Sequence, residues 1–132
     1  IISYHNGIVL IERKNFPHGL ALPGGFAKYG KTLEQSAIEE TKEETNLDLI
    51  LDSPEHPLCV YSNPHRDPRA HITTVVYPGT GHGELKAGDD AKEAGCYSIQ
   101  RVIDEILGRN QFAFPDHERM VKEYFHSRGI LK

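Results

Sequence analysis

The chain has 132 residues, 26% of them charged, and a net charge of −4 at neutral pH. A chain of this length makes one domain that buries roughly two thirds of its unfolded surface, and we read residues 1–132 as that domain. The charge balance offers no basic field of the kind that draws a protein to nucleic acid. No apolar run approaches the roughly 18 residues of a membrane span, and no secretory leader is read, so no membrane partner and a cytoplasmic location are expected. The chain opens on Ile1-Ile2, which leaves room for an upstream segment. Cys59 and Cys96 are too few for a disulfide scaffold and are read as reduced core thiols. The eight histidines lack zinc-site spacing and are expected in loops and on the surface.

The first elements are Ile1–Tyr4 and Ile8–Arg13, joined as a hairpin by the Asn6-Gly7 turn signal. Next comes the most informative stretch, Leu22 to Leu47, LPGGFAKYGKTLEQSAIEETKEETNL. Thr32 and Gln35 match a capping box and start a helix. At about 100° per residue, Leu33, Ala37 and Thr41 share its apolar arc with Ile38 at the edge, while Gln35 and Lys42 face solvent. Glu40 and Glu44 stack on adjacent turns, with Glu43 one step around and Glu39 beside them. So many like charges repel one another, and a divalent cation reverses the sign of that repulsion. An isolated acidic run is more often a solvated face. Here the Gly24-Gly25 pair, which lets a main chain approach an ion or phosphate closely, shifts the reading toward a cation site.

Downstream, Leu49–Asp52, Leu58–Ser62 and Ile72–Tyr77 are strand candidates bounded by Pro and Asn. The loop from Ser62 to His71 packs Arg66, Arg69, His65 and His71 together, and guanidinium groups grip phosphate oxygens with paired donors. Asp67 is placed to hold one arginine. Gly88-Asp89-Asp90 suits a turn. A helix is predicted from Ser98, with Ile99, Val102, Ile103, Ile106 and Leu107 at helical spacing. A last helix is capped by Asp116 and closes near Gly129, with Met120, Val121, Tyr124 and Phe125 as its core side. This order of strands and helices indicates α+β or a mixed-sheet sandwich.

The glycine pair and the acidic helix together resemble the signature of the Nudix hydrolases, G-x5-E-x7-R-E-U-x-E-E-x-G-U, with U a bulky aliphatic residue. Gly25 takes the first glycine, Glu40 the glutamate after the arginine, Glu43 and Glu44 the pair, and Leu47 the closing aliphatic. Lys31 stands where the family has Glu, Glu39 where it has Arg, Thr41 where it has an aliphatic residue, and Asn46 where it has Gly. The first two changes are opposite in sign, which suggests a reversed salt bridge from Lys31 to Glu39 tying the loop to the helix. The Arg66–His71 stretch, the Ala87–Ala91 loop and the Phe112–His117 segment look like those of the ADP-ribose pyrophosphatase branch, so the resemblance spans nearly the whole chain.

The resemblance implies an α/β/α sandwich with a mixed central sheet, and hydrolysis of a nucleoside diphosphate linked to another moiety. It implies Mg2+ or Mn2+ held by Glu40 and Glu44, with Glu43 assisting and the Gly24 carbonyl as a backbone ligand. The general base lies either on the helix (Glu40) or in a later loop, where Asp90 is the candidate and Asp89 a substrate contact, a plain turn being the alternative for both. Arg66 and Arg69 are expected to clamp the diphosphate or terminal ribose. Phe16 or Phe26 could stack on a base, against a core-packing alternative. ADP-ribose, cleaved to AMP and ribose 5-phosphate, is the expected substrate. The rivals are a domain that senses such nucleotides without cleaving them, and a Nudix enzyme acting on an oxidised nucleoside triphosphate or a sugar nucleotide. Dimers are frequent in this branch, so a homodimer is compatible with the reading.

Overall fold

In a computed structural model, residues 1–88 and 91–132 are described. A hairpin opens the chain: β1 (Ile2–Tyr4) and β2 (Gly7–Arg13) pair antiparallel with Tyr4 opposite Gly7. The turn therefore falls on His5 and Asn6 rather than on Asn6-Gly7, and His5 takes the positive φ of 46°. Gly7 instead lies in the strand, because a Cβ there would strike the Tyr97 carbonyl.

The other strands are β3 (Leu20–Ala21), β4 (Asp48–Leu51), β5 (Cys59–Tyr61), β6 (Thr74–Val76), β7 (Gly79–His82) and β8 (Ala91–Ser98). The main sheet is six-stranded, in the order β3-β2-β1-β7-β4, with β8 also on β2. It is mixed: β1 and β7 run parallel, while β2–β8 and β4–β7 are antiparallel. Strand β7, between β1 and β4, holds Gly79 and Gly81, where a Cβ would meet the Ile50 carbonyl and the Ile2 and Leu47 side chains. A small separate sheet joins β5 to β6.

Helix α1 (Leu33–Thr45) starts with the predicted capping box and ends with Asn46 in the left-handed region at φ 66°. Its buried residues are Ser36, Thr41, Glu44 and Thr45, whereas Leu33 and Ile38 are exposed, so the packed stripe sits one step around from the predicted arc. A short helix α2 (Ile99–Arg101) widens into a π-helical turn over Val102–Ile106. Helix α3 (Pro115–Ser127) begins with Pro in its first turn, and Asp116 lies inside that turn instead of capping it.

Alternation along β2 sorts the core into layers. Ile8 and Leu10 join Val102, Met120, Val121 and Phe125 on the face under α3. Val9 joins Ile2, Leu47, Leu49 and Tyr77 on the other face, against Ala37 of α1. Helices on both faces of a mixed sheet make the expected α/β/α sandwich. The thiols depart from expectation, since Cys59 is only half-buried and Cys96 is exposed, both of them free.

Candidate active site

The loop from Leu22 to Lys31 is fastened to α1 residue by residue. Gly24 N–H donates to Glu44 Oε1 at 2.9 Å. A Cβ on Gly25 would fall on the Glu40 carboxylate, so only glycine lets that acid lie against the loop. Lys28 N–H donates to the buried Ser36 hydroxyl at 3.0 Å, and Lys31 N–H closes a turn onto the Lys28 carbonyl. The Lys31 ammonium reaches Glu39 Oε1, which is the reversed salt bridge expected from the sequence. The Lys31 and Lys28 partners hold the Glu39 carboxyl below the usual carboxylate range.

The Lys28 ammonium lies among the acids, 2.5 Å from Glu43, 3.2 Å from Glu39 and 3.6 Å from Glu40. Its hydrogen bond to Glu43, more than any other partner, raises its pKa far above that of a free lysine. Among the described residues, no three His, Cys, Asp or Glu side chains are arranged to hold a metal ion as they stand. The donor set nevertheless fits a hard cation, because it consists of carboxylate oxygens with main chain close by, and a cationic group already stands among them.

Opposite the helix, the arginine loop folds around its own acid. The buried Asp67 accepts Arg69 Nε at 3.0 Å, Arg69 Nη2 at 2.8 Å and Arg69 N at 2.9 Å. This pairing holds the Asp67 carboxyl low and the Arg69 guanidinium high. Arg69 is left half-exposed, over the rings of Phe26 (5.7 Å) and Phe114 (5.2 Å). Arg66 is buried and committed elsewhere. It donates to both oxygens of Asp116, at 2.5 and 3.1 Å, and to the Ile72 carbonyl.

His117 is a functional-site neighbour that sequence reasoning passed over as one more loop histidine. It is buried, and its Nδ1 accepts the Leu22 N–H at 3.1 Å, pinning the start of the glycine loop to α3. Burial above all lowers its pKa to about 4, with Asp116 opposing and Arg66 adding to the shift. The available signal was the Phe112–His117 segment, whose register on a helix start was legible but whose partner was not.

A cleft of about 1060 Å³ brings these groups together. Gly24, Gly25, Lys28, Glu40, Glu43 and Glu44 line one side, and Arg66, Asp67, Arg69, Phe114 and His117 line another. Phe16 and Phe26 border it and are about two-thirds exposed, which sets aside core packing for both rings. Asp89 and Asp90 lie outside the described residues. The segment leading to them abuts the end of α1, where Gly88 N–H donates to the Glu44 carbonyl at 3.1 Å.

Comparison with known proteins gives this geometry a lineage. The NUDIX domain profile matches residues 1–123. An ADP-ribose pyrophosphatase from Methanocaldococcus jannaschii is 43% identical over 127 residues, which takes in 94% of this chain and 69% of that protein. Among solved structures, a MutT/nudix family protein from Enterococcus faecalis is 34% identical with a TM-score of 0.73, covering 92% of this chain and 54% of that one. The chain thus spans about half the length of that relative. A bifunctional NMN adenylyltransferase/ADP ribose pyrophosphatase from Francisella tularensis, complexed with AMP and a Mn ion, is 25% identical with a TM-score of 0.73, over 96% of this chain and 39% of that one. With the profile matching nearly end to end and the archaeal relative this similar, the chain belongs to the Nudix family.

Proposed function

We propose that residues 1–132 act as one hydrolase domain that cleaves ADP-ribose to AMP and ribose 5-phosphate. The observation that carries this reading is the cleft itself, with helix carboxylates on one wall and an oriented guanidinium beside the exposed Phe26 ring on another. The name of the archaeal relative and the AMP and Mn ion bound by the Francisella protein support the substrate and the metal class.

In this reading Glu40 and Glu44 hold Mg2+ or Mn2+, with Glu43 assisting and Gly24 contributing main chain. Held there, such an ion would supply positive charge for the diphosphate oxygens and would lower the pKa of a water, making it a better nucleophile toward phosphorus. Arg69, whose Nε and Nη2 are held by the buried Asp67, turns the remaining N–H edge of its guanidinium to the diphosphate. Arg66 serves through its tie to Asp116, keeping that loop over the cleft. The exposed Phe26 ring offers a stacking face for the base. Glu40 and Asp90 are the two carboxylates assigned to the proton of the attacking water, and Asp89 is assigned to the substrate. No described helix is long and apolar enough to cross a membrane, and a cytoplasmic enzyme with a small-molecule partner and no nucleic acid, as monomer or homodimer, completes the proposal.

The test is incubation of the purified chain with ADP-ribose and Mg2+ or Mn2+, following AMP by chromatography. AMP should appear and should vanish in Glu44→Gln. Tight binding without turnover in the wild type would move the assignment to a nucleotide sensor, and absence of both binding and turnover across nucleoside diphosphates would defeat the reading.

A further inference from the structure

Two of the acids assigned to the metal, Glu40 and Glu43, are gathered with Glu39 around a side chain of the protein itself. Lys28 is anchored at its main chain, where its N–H bonds the buried Ser36 hydroxyl on the first part of α1 and its carbonyl accepts the Lys31 N–H. From that fixed point its arm runs to Glu39, Glu40 and Glu43, and the ammonium meets all of them within 3.6 Å. Among the described residues, Lys31 pairs with Glu39 alone of the acids. The two lysines therefore do different things: Lys31 ties the loop down, and Lys28 supplies positive charge at the middle of the cluster. As the acids stand, no trio of metal-binding side chains is arranged for an ion among the described residues.

We propose that Lys28 is the resident counter-ion of the carboxylate cluster: without a divalent metal its ammonium neutralises Glu39, Glu40 and Glu43, and a metal ion enters by displacing it. This rests on the metal reading above and adds to it a competitor built into the chain. Three ion pairs to one flexible ammonium hold the acids in a compact arrangement that would otherwise spread by self-repulsion. Lysine suits this task, because a point charge on an unbranched stem can swing aside without taking the backbone with it. Two consequences follow. The metal-free protein is protected from the repulsion of its own acids. Affinity for the metal is set by a contest, so the protein responds to divalent-ion concentration over a higher range than the same acids would without Lys28.

The experiment uses the whole chain and Mn2+ alone, with free Mn2+ counted by electron paramagnetic resonance during titration. Lys28→Met keeps the length of the arm and removes the charge. It should bind Mn2+ about tenfold more tightly than wild type, the fold-change expected for releasing one or two exposed ion pairs. Lys28→Arg should restore wild-type weakness. In thermal melts without metal, Lys28→Met should unfold at a lower temperature than wild type, and the deficit should close at saturating Mn2+. Lys28→Gln serves as a second neutral variant should the methionine protein fail to fold. Equal or weaker Mn2+ binding by the neutral variants overturns the counter-ion role while leaving the metal site standing. Mn2+ binding by none of the proteins overturns both the counter-ion role and the metal reading beneath it.

Discussion

Replacing Asp116 by Ala strips the Arg66 guanidinium of its hydrogen-bonded carboxylate partner while leaving its side chain buried. The side chains of Arg66 and Asp116 are 5% and 11% exposed, and two N–H···O bonds at 2.5 and 3.1 Å join them. With charge centres about 4 Å apart and an effective dielectric of about 20, the lost attraction is roughly 4 kcal/mol. Loss of an acid from the first turn of α3 adds about 0.5 kcal/mol. The Ile72 carbonyl still accepts one Arg66 donor, and water entering the gap solvates the rest, so about 3 kcal/mol is the net expectation. In urea melts this appears as a lower midpoint at unchanged slope, and in a thermal scan as a fall of roughly 10 °C. The double substitution Arg66→Met with Asp116→Leu removes both charges and should recover most of the loss, because two apolar side chains leave no stranded ion. A single-variant loss below about 1 kcal/mol, or a double variant no more stable than Asp116→Ala, would refute the reasoning. Either result would mean that water reaches Arg66 freely and that the loop carrying Arg69 is held by something else.

Further outcomes can be stated from the same geometry. Because His117 has a folded pKa of about 4 against 6.5, the unfolded chain takes up its proton first as pH falls. Stability should therefore decline between pH 6.5 and about 4, by at most about 3 kcal/mol from this group; His117→Asn keeps an acceptor for Leu22 and should flatten that part of the curve, and an unchanged slope would deny the assignment. Gly25→Ala should cut AMP formation by at least about tenfold with stability altered by less than about 1 kcal/mol, since the new methyl displaces the Glu40 carboxylate; full activity would show that Glu40 has room to spare. Arg69→Ala should raise KM for ADP-ribose well above any fall in kcat, as a lost ground-state grip does, and an unchanged KM would argue against the clamp. Thr32→Ala should cost about 1 kcal/mol by removing the helix cap seen in the Thr32–Gln35 exchange, measurable by denaturant titration.

What the sequence disclosed and what it hid follow from the range of the interactions involved. The capping box, the hairpin and the core side of α3 depend on neighbours within a few residues, and all were legible. Strands β7 and β8 were not. Gly-Thr-Gly-His and Ala-Lys-Glu-Ala-Gly-Cys-Tyr-Ser have little intrinsic preference for extended structure, and they are strands through their pairing with β1, β4 and β2. The stripe of α1 was misplaced by one step because Ser36, Glu44 and Thr45 are buried with their side chains hydrogen-bonded to loop and helix backbone, which a hydropathy pattern does not register. In the site, the acids and the arginine loop were visible as motifs, and the Lys31–Glu39 exchange could be inferred from its opposite signs. The division of labour between Arg66 and Arg69 could not, because it depends on Asp116 some 50 positions away. The same holds for His117, whose partner Leu22 is 95 positions distant.

The inverted polarity of the Lys31–Glu39 pair limits the routes by which this sequence can change. A glutamate at position 31 with Glu39 retained would bring two carboxylates face to face, and an arginine at position 39 with Lys31 retained would crowd two cations beside Lys28. Each single step is unfavourable although the finished exchange is not, which is sign epistasis between two sites in direct contact. Restoring the more usual arrangement by engineering therefore calls for changing both positions in one move.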